Sequence, residues 1–413
     1  MFQVSPSTLR SLAPIAVLAL FLGVIFLSSF SQNFPTMRNA EDAHPETEYL
    51  ATVTDWKFQE YSTYFRKLAE DKGGEYAFEV LKRAKLSPNV DIHLLGHVVG
   101  DMLYKQQGIE GIKVCTPDFR NACSHSIVVG MLTEHGEGSL PEIVATCKQA
   151  PGGKGAYTMC FHGLGHGVLA FNEYRLEKAV DMCKKTGTPE YHDREYIECV
   201  GGASMEMMAG VHDRDAWEKE KGNYFKDSDP LFPCDAPFMP AEVRPICYIH
   251  LTPHLFEVAG MDLGKPDPAY YERSFSYCDK IPTSNVPDRQ ACYGGFGKEF
   301  VVFAQERDVR NIGDMKEPAL ARVREWCEFA RDTTGEQDCN GYALNSLFWG
   351  GENNPDASFT YCAIAKNEEE SRFCYEMLAQ NISTYLGRGR AGQAVCARVP
   401  LPYRNICLSG PGN

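Results

Sequence analysis

The sequence predicts an all-α fold: α/α helical hairpins stacked into a repeat array, either a solenoid or a closed α/α ring, stapled by local disulfides. Three observations carry this. Sixteen cysteines fall in order into eight neighbouring pairs: Cys115/Cys123, Cys147/Cys160, Cys183/Cys199, Cys234/Cys247, Cys278/Cys292, Cys327/Cys339, Cys362/Cys374 and Cys396/Cys407. Separations of 8 to 16 within pairs alternate with 22 to 35 between them, which predicts sequential pairing in an oxidising compartment. The first cysteines recur at intervals of 32, 36, 51, 44, 49, 35 and 34 residues, the period of stacked helical hairpins.

Taken in order, Leu12 to Phe30 is an apolar run broken only by Pro14, Gly23 and two serines. It is long enough to span a bilayer. Residues 1–31 are therefore expected to be an uncleaved signal-anchor, with cleavage after Ser31 the alternative. Arg10 precedes the run, and Glu41, Asp42, Glu46 and Glu48 follow it. That asymmetry puts the bulk of the chain outside the cytoplasm, periplasmic or extracellular. Residues 32–54, with Pro35 and Pro45, are expected to be a linker, and 55–413 the repeat domain. Helical spacing runs from Trp56 to Leu68 and from Tyr76 to Lys85, separated by Gly73-Gly74. A third helix starts at Asp91-Ile92-His93 and reaches Tyr104.

From there each unit follows one plan. A helix runs into its first cysteine, as in Leu176 to Cys183, and a short loop follows. The second cysteine then opens another helix, often with glycine close behind, as at Gly163, Gly201 and Gly202. The glycines are expected to permit close helix–helix approach, since no phosphate-binding fingerprint surrounds them. Longer intervals imply insertions near 213–233, 257–272 and 306–318. Over roughly residues 90–410 the paired cysteines and hairpin period resemble, in architecture, cysteine-bridged tetratricopeptide-like repeat proteins. That resemblance implies a scaffold that docks a protein partner on its surface.

A net charge of −14 argues against nucleic acid as a partner and favours cations. The 11 histidines all lie before residue 255. Three pairs have His-x-x-x-His spacing: His93/His97, His162/His166 and His250/His254. Even scattering would give roughly a third of one such pair. A separation of four puts both imidazoles on one helix face, where a single ion can take two nitrogens. His125 stands two residues past Cys123, as His162 stands two past Cys160. Glu206 and Glu299 each stand seven past a cysteine. In a stack, equivalent positions face one shared surface.

The metal candidates are thus His93, His97, His125, His162, His166, Glu206, His250 and His254. Imidazole-rich ligation suits zinc, copper or iron, and non-covalent haem between two helices is a further expectation. A metal-dependent hydrolase using the same cluster, with Glu206 as general base, is an alternative. Glu206 and Glu299 as a glycosidase acid–base pair is another. Two His-Asp dipeptides, His192-Asp193 and His212-Asp213, are similar to those of metal-dependent phosphohydrolases but fall in charged loops.

Overall fold

The computed structural model describes residues 44–88, 90–150, 153–350, 354–387 and 389–409. The expected signal-anchor lies outside them. No helix of the described residues is long and apolar enough to cross a membrane.

Among the described residues there are 19 α-helices and no β-strand. Ahead of the cysteine pairs run α1 (Pro45–Ala51), α2 (Phe58–Lys72), α3 (Gly74–Arg83) and α4 (Ile92–Gln107). Within the stretch expected to be linker, α1 is therefore helical. The first insertion also carries a helix, Arg214–Tyr224. The order continues α5 (Ala122–His135), α6 (Leu140–Cys147), α7 (Gly153–Phe171), α8 (Leu176–Cys183), α9 (Arg194–Ala209), α10 (Arg214–Tyr224) and α11 (Arg244–Val258). It closes with α12 (Tyr271–Phe275), α13 (Val286–Ala304), α14 (Glu317–Cys327), α15 (Thr333–Gly350), α16 (Asp356–Ala363), α17 (Glu368–Tyr385), α18 (Arg390–Cys396) and α19 (Leu401–Ser409).

Local chemistry sets these bounds. Asp91 caps α4 by accepting from the Leu94 N–H at 3.1 Å, and Gly108, at φ +60°, stops it. Proline occupies the first turn of α6, α11, α13 and α14, where its missing N–H costs nothing. Asn367 caps α17, whose first turn holds Glu368, Glu369 and Glu370 beside the positive end of the helix dipole.

All eight sequential disulfides form, with Cα separations of 5.4 to 5.7 Å. The second cysteine does not always open its helix. α7 and α13 begin about two turns before Cys160 and Cys292, because the hairpin loop is shorter than the cysteine spacing. Each bond ties the second helix of a hairpin to the end of the first or to the loop between them, and on the chain-entropy model a loop of this size stabilises by roughly 3 kcal/mol.

The second helix of each hairpin joins one continuous row: α4, α5, α7, α9, α11, α13, α15, α17 and α19, each packed on the next. The row curls. Arg310, in the loop after α13, donates to the carbonyls of Leu81 and Ala84, and Arg307 pairs with Asp91 at 3.2 Å. Arg120 reaches Ser346 of α15 at 2.9 Å. The third insertion thus fastens the later units onto the first hairpin, and the array turns back on its own start.

Glycine allows the closest crossing in the row. A Cβ at Gly202 of α9 would lie 1.7 Å from the His162 carbonyl oxygen, and one at Gly165 of α7 would lie 1.9 Å from that of Cys199. Gly202→Ala is expected to push α7 and α9 apart and to cost about 2–3 kcal/mol, the upper range for overpacking. The readout is the urea midpoint. An unchanged midpoint would show that the crossing yields freely.

Candidate metal centre

The curled row brings seven imidazoles together. His93 and His97 come from α4, His125 from α5, His162 and His166 from α7, and His250 from α11. The seventh, His212, follows α9, where Gly210 at φ +59° turns the chain back. Ring centroids stand 4.8 Å apart for His93/His97, 5.5 Å for His97/His125 and 5.4 Å for both His97/His166 and His97/His212. The chain continues through His125/His162 at 5.5 Å and His162/His250 at 5.2 Å. Gly163 brings α7 against α5 at the cluster: a Cβ there would stand 2.4 Å from the His125 Cα.

Two groups have donor atoms all within 4.8 Å of one another: His93, His97 and His125, and His166, Glu206 and His212. All six are buried or nearly so, His125 and Glu206 completely.

Hydrogen bonds fix which nitrogens face inward. His93 Nδ1–H donates to the Phe119 carbonyl at 2.6 Å, leaving a lone pair on Nε2. Ser126 gives its one hydroxyl hydrogen to the His97 carbonyl, so at 3.3 Å from His97 Nδ1 it accepts, and His97 Nε2 also carries a lone pair. These two Nε2 atoms face each other at 3.3 Å. Two lone pairs at that distance repel unless a cation or proton sits with them. His125 has no hydrogen-bond partner on either nitrogen, and neither have His162 Nδ1, His166 Nε2 and His212 Nε2. An unsatisfied buried polar atom costs roughly 1–3 kcal/mol.

Glu206 anchors the second group. Its Oε2 accepts from His166 Nδ1 at 2.9 Å and lies 4.0 Å from His212 Nε2. Its Oε1 takes the Tyr174 hydroxyl and the N–H groups of Val211 and His212. Burial would raise this carboxyl, yet the neighbouring His212 and His166 hold it below its ordinary value. Burial drives His97, His125 and His162 well below the ordinary imidazole range, and neighbouring imidazoles add to the effect. His93 falls to about 4 for the same first reason. His93, His97 and His125, kept neutral by burial, stand beside one anionic carboxylate, Glu206, and that combination favours a cation.

The remaining expected residues separate here. His250 extends the cluster through His162, its Nδ1 3.2 Å from Lys298 Nζ. His254, one turn on, instead packs against Phe225, tilted, with ring centroids 4.7 Å apart. Glu299 pairs with Lys298 at 2.9 Å and is held low, because Lys298, Arg307 and Arg120 outweigh its burial. With both carboxyls held in their ionised form, Glu206 and Glu299 suit no proton-donating role. His192 is exposed on its loop.

Four participants lay outside the expectation. In the sequence His212 stands out only as half of a loop dipeptide. Glu198, 3.8 Å from His162, Lys298 and Arg120 stand beside the rings with no spacing signal to mark them. All 16 cysteines are in disulfides, so no thiolate is on offer. A cleft of about 470 Å³, lined by Asp101, Ser126, Glu134, His212 and Asp213, reaches the His212 end of the cluster. Comparison with protein-family models, with curated proteins and with solved structures gives no match.

Proposed function

We propose that this chain binds transition-metal ions in the histidine cluster at the start of its disulfide-stapled array. One ion takes His93, His97 and His125, and a second takes His166, Glu206 and His212. The observation that carries the reading is His125, fully buried with both nitrogens unpartnered, beside two Nε2 lone pairs 3.3 Å apart. An imidazole set with one carboxylate and no thiolate fits zinc, copper(II) or iron. The cleft at His212, with Asp101, Glu134 and Asp213 on its walls against one cation, Lys105, offers metal ions a net acidic approach. Haem fits less well: rings 4.8 to 5.9 Å apart already fill the space between α4, α5 and α7.

Hydrolysis by Glu206 as general base is also less supported, since both its oxygens are engaged by four donors. The scaffold reading needs a free concave face, and here the inner face of the early units is buried imidazole. The bound ions would serve as Lewis acids or redox centres, with the chain's own residues fixing ring orientation and excluding water. An extracytoplasmic setting is the companion proposal, supported by the eight disulfides, and membrane anchoring rests on the apolar run from Leu12 to Phe30 alone.

Elemental analysis of the purified chain, produced without a histidine tag in an oxidising compartment, tests the proposal. One or two equivalents of zinc, copper or iron are expected, falling to background in His97→Ala/His166→Ala. A chain that stays metal-free after reconstitution would sink it.

A further inference from the structure

On the inner side of the curl, where α15 meets the turn before α5, lies a cavity of about 180 Å³. Arg120 comes from that turn, Met159 from α7, Ile249 from α11, Lys298 from α13, and Tyr342 and Ser346 from α15. In a chain of net charge −14, two cations line this space and no carboxylate does, although Lys298 also pairs at 2.9 Å with Glu299 beside it. The Arg120 Nε is buried with no partner, while Nη2 binds only the neutral Ser346 hydroxyl at 2.9 Å. A buried guanidinium left with a free N–H is a donor held ready for an anion.

The backbone supports the same conclusion. Phe119, Arg120 and Asn121 are three consecutive left-handed residues, at φ 56°, 55° and 65°. Asn121 takes this conformation readily, but Phe119 and Arg120 are strained in it, and such strain collects at binding sites. The turn is closed by Cys115–Cys123. It aims the Phe119 carbonyl at His93 and the Arg120 side chain at the cavity. On the opposite wall, Lys298 touches His250, whose ring packs on His162. The cavity therefore adjoins the histidine cluster on the side away from the acidic cleft.

We propose that this cavity binds a small oxyanion-bearing molecule, a carboxylate or a phosphate monoester, held between Arg120 and Lys298. A space of this size accommodates a molecule about as large as benzene. The binding site stands on its own lining, and only its role beside a metal ion rests on the reading above.

Calorimetric titration of the full-length chain with inorganic phosphate, and separately with acetate, tests this in metal-loaded and chelator-stripped protein. The expected result is saturable binding of at least one anion at one site, retained after stripping and weakened tenfold or more in Lys298→Met. Arg120→Gln should match it. If that variant fails to fold by circular dichroism, Lys298→Met still decides. Absence of saturable binding overturns the proposal, as does equal affinity in Lys298→Met. Binding lost on stripping also overturns it, because the anion then sits on the metal. Since the stripped protein is itself an arm, failure of the metal reading leaves this test intact.

Discussion

Stripping metal from the purified chain is expected to lower its stability by about 4 kcal/mol, relative to ion held at a thousand times its dissociation constant. On the proposed assignment the ion would bind only the folded state, where α4, α5, α7 and the chain around α9 bring the candidate ligands together. The unfolded chain has no such arrangement. Denaturant unfolding with metal and with chelator measures the difference, and His97→Ala/His166→Ala should abolish it. Glu206→Gln removes the one carboxylate of the two groups and with it the charge that compensates the ion. The 10–100-fold loss that follows when an outer partner of a ligand is disturbed is the least expected here, because Glu206 is itself a proposed ligand. A wild-type chain whose unfolding is indifferent to metal would count against the whole assignment.

The array was legible because cysteines and histidines are sparse residues with rigid requirements. Alternating cysteine gaps leave sequential pairing as the economical solution, and all eight bonds follow it. The His93/His97 and His162/His166 spacings put two rings on one face, and the offset from the cysteine carried that face from Cys123 to Cys160. His254 shows where register runs out. Its helix is offset by one residue relative to α7 from the cysteine, and one residue is about 100° of rotation. His250 still reaches His162, while the ring a turn later meets Phe225 in the insertion. His212 was out of reach for the opposite reason. It belongs to no helix face, and only the left-handed turn at Gly210 and the grip of Glu206 on its N–H bring it inward. Arg120 and Lys298 depend on the curl, which pairs residues 216 to 229 positions apart that no local pattern connects.

Acid should destabilise the metal-free chain steeply below pH 6.5. Take His93, whose pKa falls to about 4 in the folded state. Above pH 6.5 the ring is neutral in both states and contributes no pH dependence. As pH falls from 6.5 the unfolded chain takes up a proton that the folded chain refuses, so stability drops until the folded pKa is reached. For His93 alone the loss amounts to roughly 3 kcal/mol over that window. His97, His125, His162, His166 and His250 are depressed too, by burial first, and act in the same direction. Glu206, held low, adds a loss below its unfolded value of about 4.5. Glu198 and Asp101, raised by burial, oppose this by recovering stability as they protonate. His254 falls to about 4 as well, and Asp235, Glu257 and Asp338 are raised by burial like the two carboxyls just named. Seven rings against five carboxyls leaves a net fall, read as a urea midpoint that drops between pH 6.5 and 4. His125→Leu then separates a binding residue from a structural one. In the metal-free chain it removes two orphaned buried nitrogens, so stability at pH 7 should hold or rise and the acid slope should flatten. In the metal-loaded chain the same change removes a ligand, and stability should fall. A histidine retained only for packing would instead lose stability equally with and without metal, and that outcome would return His125 to the core.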